Sequence, residues 1–134
     1  VLQGEGTFVR GEDASATVRA IVEAQALSMR AHSSWIGEDP TTVRVTGGAS
    51  RSAGICQVLA DVFNARVERL ETANSAALGA AMRAANGAGG LPWDALSQMF
   101  CASVDGKNVE PIPGNVRVYQ DMLRDYIAAE EAHS

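Results

Sequence analysis

Gly47, Gly48, Ala49, Ser50 and Ser52 fall together in the run Thr42-Val43-Arg44-Val45-Thr46-Gly47-Gly48-Ala49-Ser50-Arg51-Ser52, where a short strand is predicted to turn tightly into a helix. Adjacent glycines remove the Cβ atoms that would hold a ligand away from main chain, and the first turn of a helix offers N–H groups with no helical acceptor. That combination suits a nucleotide lying directly on backbone. The hydroxyls of Ser50 and Ser52 either meet such a ligand or cap the helix, and Arg51 either reaches toward phosphate or stays solvated.

Other reactive side chains have plainer readings. Cys56 and Cys101 lie far apart, with no C-x-x-C spacing and no nearby histidine pair, so they are expected to be reduced, buried thiols of a cytoplasmic protein rather than metal ligands. Asp61 is predicted mid-helix beside Leu59 and Val62, and Asp94, Asp105, Asp121 and Asp125 sit where solvation or capping suffices. No catalytic residue and no metal ligand is expected in this chain. His32, near a helix end, and His133, in the tail, read as ordinary surface residues.

The elements that must position the glycine turn alternate helix and strand. Asp13 or Ser15 can cap a helix running to about His32, with Val18, Ile21, Val22, Gln25 and Met29 on one stripe. After the turn, Ile55, Val58, Leu59, Val62 and Phe63 mark a helix that packs on a sheet, and 66–70 reads as a second strand. A third helix is predicted from Thr72 through Asn86, rich in small residues and closed by Gly87. A short helix near Pro92 to Phe100 follows. The last helix comes after Pro111-Ile112-Pro113-Gly114, with an apolar stripe of Tyr119, Met122, Leu123, Tyr126 and Ile127 and with Glu130 and Glu131 trailing into solvent. This is the grammar of an α/β domain, in which ligands sit beyond the carboxyl ends of the strands.

Composition narrows the setting. The 134 residues make one domain at most, short for an enzyme with both walls of a cleft. With 46% hydrophobic and 20% charged residues the chain is ordinary soluble protein, and no apolar run approaches the roughly 18 residues of a membrane span. A net charge of −5 argues against a nucleic-acid partner. The opening Val1-Leu2-Gln3-Gly4-Glu5-Gly6 lacks the features of a signal peptide and reads as a cut.

Two nucleotide-binding patterns fail on spacing. A short-chain dehydrogenase needs T-G-x-x-x-G-x-G, but counting from Thr46 the later glycine positions hold Arg51 and Ala53, and neither Tyr119 nor Tyr126 is followed four residues on by Lys. A G-x-x-x-x-G-K-[ST] phosphate loop is absent from the sequence.

One resemblance survives. Gly47-Gly48-Ala49-Ser50-Arg51-Ser52 with Gln57-Val58-Leu59-Ala60-Asp61-Val62-Phe63, then Thr72-Ala73-Asn74-Ser75-Ala76-Ala77-Leu78-Gly79-Ala80-Ala81, resembles the C-terminal domain of FGGY-family carbohydrate kinases, the xylulokinases above all. The helix from Val18 to Arg30 and the closing proline-plus-tyrosine segment are similar to that family as well. The resemblance implies an α/β, actin-like (ribonuclease-H-like) ATPase fold with a mixed sheet and packed helices. Residues 1–134 would be the C-terminal, ATP-side part, with the N-terminal sugar-binding domain absent. ATP would lie against Gly47, Gly48, Ala49 and Ser50, with Ser52 where relatives often carry an Asn that bonds adenine or ribose. Gly79, Ala80 and Ala81 would let the third helix pack closely behind it. The implied activity is ATP-dependent phosphorylation of D-xylulose, with other family substrates such as glycerol, gluconate or ribulose, or a non-catalytic nucleotide-binding module, as alternatives. Mg²⁺, the catalytic base and the sugar pocket would be held mainly outside this chain, which alone would transfer no phosphate. Apolar surface left bare by the missing domain implies possible self-association into a homo-oligomer.

Overall fold

The computed structural model describes residues 13–70, 74–101 and 107–133. Two short strands, β1 (Thr42–Val45) and β2 (Arg66–Arg69), pair in parallel with Val43 opposite Val67 and Val45 opposite Arg69. A parallel pair requires a crossover, and helix α2 (Ala53–Phe63) supplies it. An isolated antiparallel bridge joins Val67 to Val109 on the far side of β2, so the described sheet is mixed only through that contact.

Helix α1 (Ala14–Ala31) starts at Asp13, whose carboxylate accepts the Ser15 amide at 2.8 Å. Its predicted stripe is corrected by the packing. Val18, Ile21, Gln25 and Met29 are exposed, whereas Ala26 and Leu27 are buried with Val22 beside them. The buried face is the one that meets α2 and α5 (Pro113–Glu131), and the small Ala26 lets the helices approach. Arg30 lies over the Phe63 ring, 6.0 Å from its centroid.

Helix α2 is the core of the molecule. Cys56, Val58, Leu59, Ala60, Val62 and Phe63 are all buried, as the apolar run requires, and Asn64 ends the helix in the left-handed conformation at φ 47°. Around it gather Val67, Ala65 and Tyr119, with Val43, Val45, Met122, Leu123 and Tyr126 partly covered.

The small-residue helix α3 (Ser75–Gly89) differs from expectation. Thr72 lies outside the described residues, and the helix runs past Gly87 to end at Gly90, where φ is 66°. A glycine stops a helix only where the chain enters the left-handed region, and Asn86 secures the exit by donating to the Leu91 carbonyl at 2.8 Å. Gly79, Ala80 and Ala81 are exposed rather than closely packed. The partner of α3 is α4 (Trp93–Phe100), with Met82 and Leu96 buried.

Two further expectations need correction. Cys56 is a buried free thiol, but Cys101 is only half-buried, its sulfur 4.0 Å from that of Met82. Glu130 does not trail into solvent: its carboxylate meets His32 Nε2 at 3.1 Å across α1 and α5.

Candidate functional site

The register of the strands brings Val45 and Arg69 level, so both carboxyl ends open on one edge of the sheet. The Leu70 amide donates to the Val45 carbonyl at 3.0 Å and extends the pairing to that edge. Gly47 leaves β1 there at φ 77°, a conformation that disfavours any residue with a Cβ. Helix α2 does not begin at once. Gly48–Arg51 form a 3-10 turn, and Ala53 is the first residue of the helix proper.

Each predicted site residue has a definite place. A Cβ added at Gly47 or Gly48 would meet nothing within 4 Å, so no internal packing needs those glycines and the backbone there is open on its outer side. Ala49 is exposed and Arg51 is solvated. The Ser50 hydroxyl donates to the Gly47 carbonyl at 2.7 Å and closes the turn. Ser52 caps α2 by accepting the Ile55 amide at 3.3 Å, which leaves its hydroxyl proton available. The buried Cys56 thiol lies 3.7 Å from the Ser50 carbonyl and supports the turn from below.

Ser52 also reaches a second feature. A groove of about 650 Å³ runs between the first turns of α1, α2 and α5, with an apolar floor of Val18, Val22, Ile55 and Val58. Gly47, Gly48, Ala49 and Ser50 do not line it. At its edge the Tyr119 hydroxyl donates to Glu23 at 2.7 Å and accepts from Arg19 at 3.4 Å. Burial, and then the bond to Glu23, raise the Tyr119 pKa above its ordinary value, because both disfavour the phenolate. The bond to Glu23 holds the Arg19 guanidinium more firmly protonated still.

Sequence reasoning missed the buried centre of this wall. Asp61 is 2% exposed and needs far more than solvation. Its carboxylate accepts from Gln57 Nε2 at 2.9 Å, the Ile112 amide at 2.7 Å and Asn115 Nδ2 at 2.8 Å. Gln57 also donates to the Glu110 carbonyl at 3.0 Å. A buried carboxylate is tolerated only with donors of this kind, and here they bind the proline-rich lead of α5 to α2. An aspartate between Ala60 and Val62 in an apolar helix was the available signal.

The remaining acidic residues keep their plain readings: Asp94 lies in the first turn of α4 and Asp121 pairs with Arg124, while Asp105 falls outside the described residues. Among the described residues no three His, Cys, Asp or Glu side chains gather as a metal would require. No described helix is long and apolar enough to cross a membrane. Arg69, at the end of β2, has a buried Nε with no hydrogen-bond partner among the described residues.

The family model of the FGGY family of carbohydrate kinases, C-terminal domain, matches residues 8–88. The xylulose kinase of Mus musculus is 37% identical over 118 residues, covering 85% of this chain and 21% of the relative. The erythritol kinase of Brucella abortus is 37% identical over 116 residues, covering 86% and 22%. The crystal structure of xylulose kinase from Rhodospirillum rubrum superposes with a TM-score of 0.71 at 27% identity, over 94% of this chain and 26% of that one. The chain spans about a fifth of the length of these curated relatives. The helices and the parallel pair are therefore a section of the actin-like ATPase fold of those kinases, and the chain belongs to the FGGY family of carbohydrate kinases, matching its C-terminal domain.

Proposed function

We propose that this chain is the nucleotide-binding portion of an ATP-dependent sugar kinase whose substrate is D-xylulose. The carrying observation is the Gly47 turn, which leaves the carboxyl edge of a parallel strand pair at φ 77° with open space where side chains would stand. Phosphoryl transfer is chiefly positioning and charge stabilisation, so a backbone bed that fixes the nucleotide is a substantial part of the task.

In this reading Gly47, Gly48 and Ala49 lie against the nucleotide. Ser50 keeps the turn closed, and the Ser52 hydroxyl, accepting from Ile55, donates its own proton to ribose or base. Ser52 thus both caps and binds. Mg²⁺, when bound with ATP, neutralises phosphate charge; because the chain spans about a fifth of the length of its curated relatives, we assign its ligands, the catalytic base and the sugar pocket mainly to the rest of such a kinase.

The choice of D-xylulose rests on the likeness to xylulose kinases. The equal identity to an erythritol kinase supports a polyol as the second reading. A coupled ATP-consumption assay on the protein joined to an FGGY sugar domain, offered D-xylulose, erythritol and glycerol, tests the choice. Turnover with D-xylulose is expected. A preference for erythritol or glycerol would replace that substrate, and phosphorylation by the 134 residues alone would overturn the division of labour. The setting that fits such a reaction is the cytoplasm. Exposed Val18, Ile21, Trp35 and Met99 support self-association of the isolated chain, and a monomeric light-scattering profile at high concentration would contradict it.

A further inference from the structure

The arginines of the sheet do not share one environment. On the outer face Arg44 pairs with Glu68 at 3.2 Å, and Arg66 pairs with Glu110 at 3.3 Å. Arg69 lies on the other face: the parallel register sets it opposite Val45, two residues along from Val67, so it leaves the sheet on the side of Val43, Val45 and Val67, where α2 packs. Its Nε is out of solvent and meets no acceptor among the described residues.

A buried guanidinium N–H without an acceptor is unfavourable enough that folded proteins supply one. Position suggests which. Arg69 is the last residue of β2, level with the last residue of β1, and Gly47 follows Val45 by two. Arg69 therefore leaves the strand at the edge where the open-sided turn begins. Arginine keeps its charge at every working pH, and its planar donors match the oxygens of a phosphate.

We propose that Arg69 is a phosphate-binding residue, which takes an oxygen of the phosphate chain of a nucleotide seated on Gly47, Gly48 and Ala49. This deepens the nucleotide reading above and rests on it. A carboxylate of the protein would be the competing acceptor, and it would make Arg69 a structural residue whose loss affects every ligand alike.

Calorimetric titration of ATP, ADP and adenosine into the 134-residue chain and into Arg69→Met and Arg69→Lys tests this, with circular dichroism as the fold control. The expected result is about a tenfold or greater loss of ATP and ADP affinity in Arg69→Met, with adenosine changed less than about twofold. Arg69→Lys retains part of the ATP affinity, and added salt weakens ATP more in the wild type than in Arg69→Met. If Arg69→Met does not fold, Arg69→Lys carries the test, with ATP weakened and adenosine not. Equal losses for ATP and adenosine, or no loss for either, overturn the proposal. A wild type that binds adenosine as tightly as ATP overturns it too while leaving the nucleoside site standing. A wild type that binds neither overturns the nucleotide reading itself.

Discussion

Asn115 Nδ2 donates to Asp61 Oδ2 at 2.8 Å, although 54 residues separate them in the chain. With the Ile112 amide and Gln57 on Oδ1, that bond leaves each carboxylate oxygen engaged and fixes where α5 begins relative to α2. Asp61→Ala is expected to cost about 2–4 kcal/mol in denaturant unfolding, because it strands buried donors. Asp61→Asn should also destabilise, since it removes the buried charge that three donors share and obliges Asn115 to turn its amide to present an acceptor. The exchange Asp61→Asn with Asn115→Asp reverses the Asn115 bond and is expected to recover most of the loss. A double variant no more stable than Asp61→Asn would contradict this geometry.

Tyr119 links stability to pH. An unfolded tyrosine titrates near 10, and burial followed by the Glu23 bond raises the folded value. The proton therefore binds more tightly in the fold, so this contribution is full below about pH 10 and is lost as pH climbs through the raised value. Thermal unfolding across the alkaline range should show a steeper decline in the wild type than in Tyr119→Phe. Parallel curves would refute the linkage.

Ser52 has two duties that substitution separates. Removing the cap in Ser52→Ala is expected to cost about 1 kcal/mol, measured by chemical denaturation, while Ser52→Asn keeps a good cap and costs little. Nucleotide affinity should fall in Ser52→Ala and be kept or improved in Ser52→Asn. If Ser52→Ala binds as the wild type does, the residue is a cap alone.

The local elements were legible where one physical signal dominated. The apolar run of α2, a cap at Asp13 or Ser15 and the glycine turn each follow from short-range chemistry, and all three stand in the structure, with Asp13 taking the cap. The α1 face was misread because Val18, Ile21 and Met29 are apolar yet exposed, and which side of a helix is buried depends on its neighbours. Gly87 reads in the sequence as the end of α3, but the helix runs on to Gly90, because it is there and not at Gly87 that the backbone turns left-handed. The lone aspartate in the apolar run of α2 marks a buried charge, but its partners Ile112 and Asn115 lie more than fifty residues away and leave no local pattern, and the burial of Arg69 Nε depends on packing alone.

The nucleotide bed at Gly47 and Gly48 is isolated by substitution at Gly48. Its φ is not positive and an added Cβ there meets nothing within 4 Å, so Gly48→Leu should fold with an unchanged melting temperature while filling the space above the turn. Titration of ATP into the wild type and Gly48→Leu, with melting measured alongside, is the direct measurement. The wild type is expected to bind ATP and Gly48→Leu to lose at least about tenfold in affinity, about 1.4 kcal/mol or more. Equal ATP affinity in two equally stable proteins would contradict it.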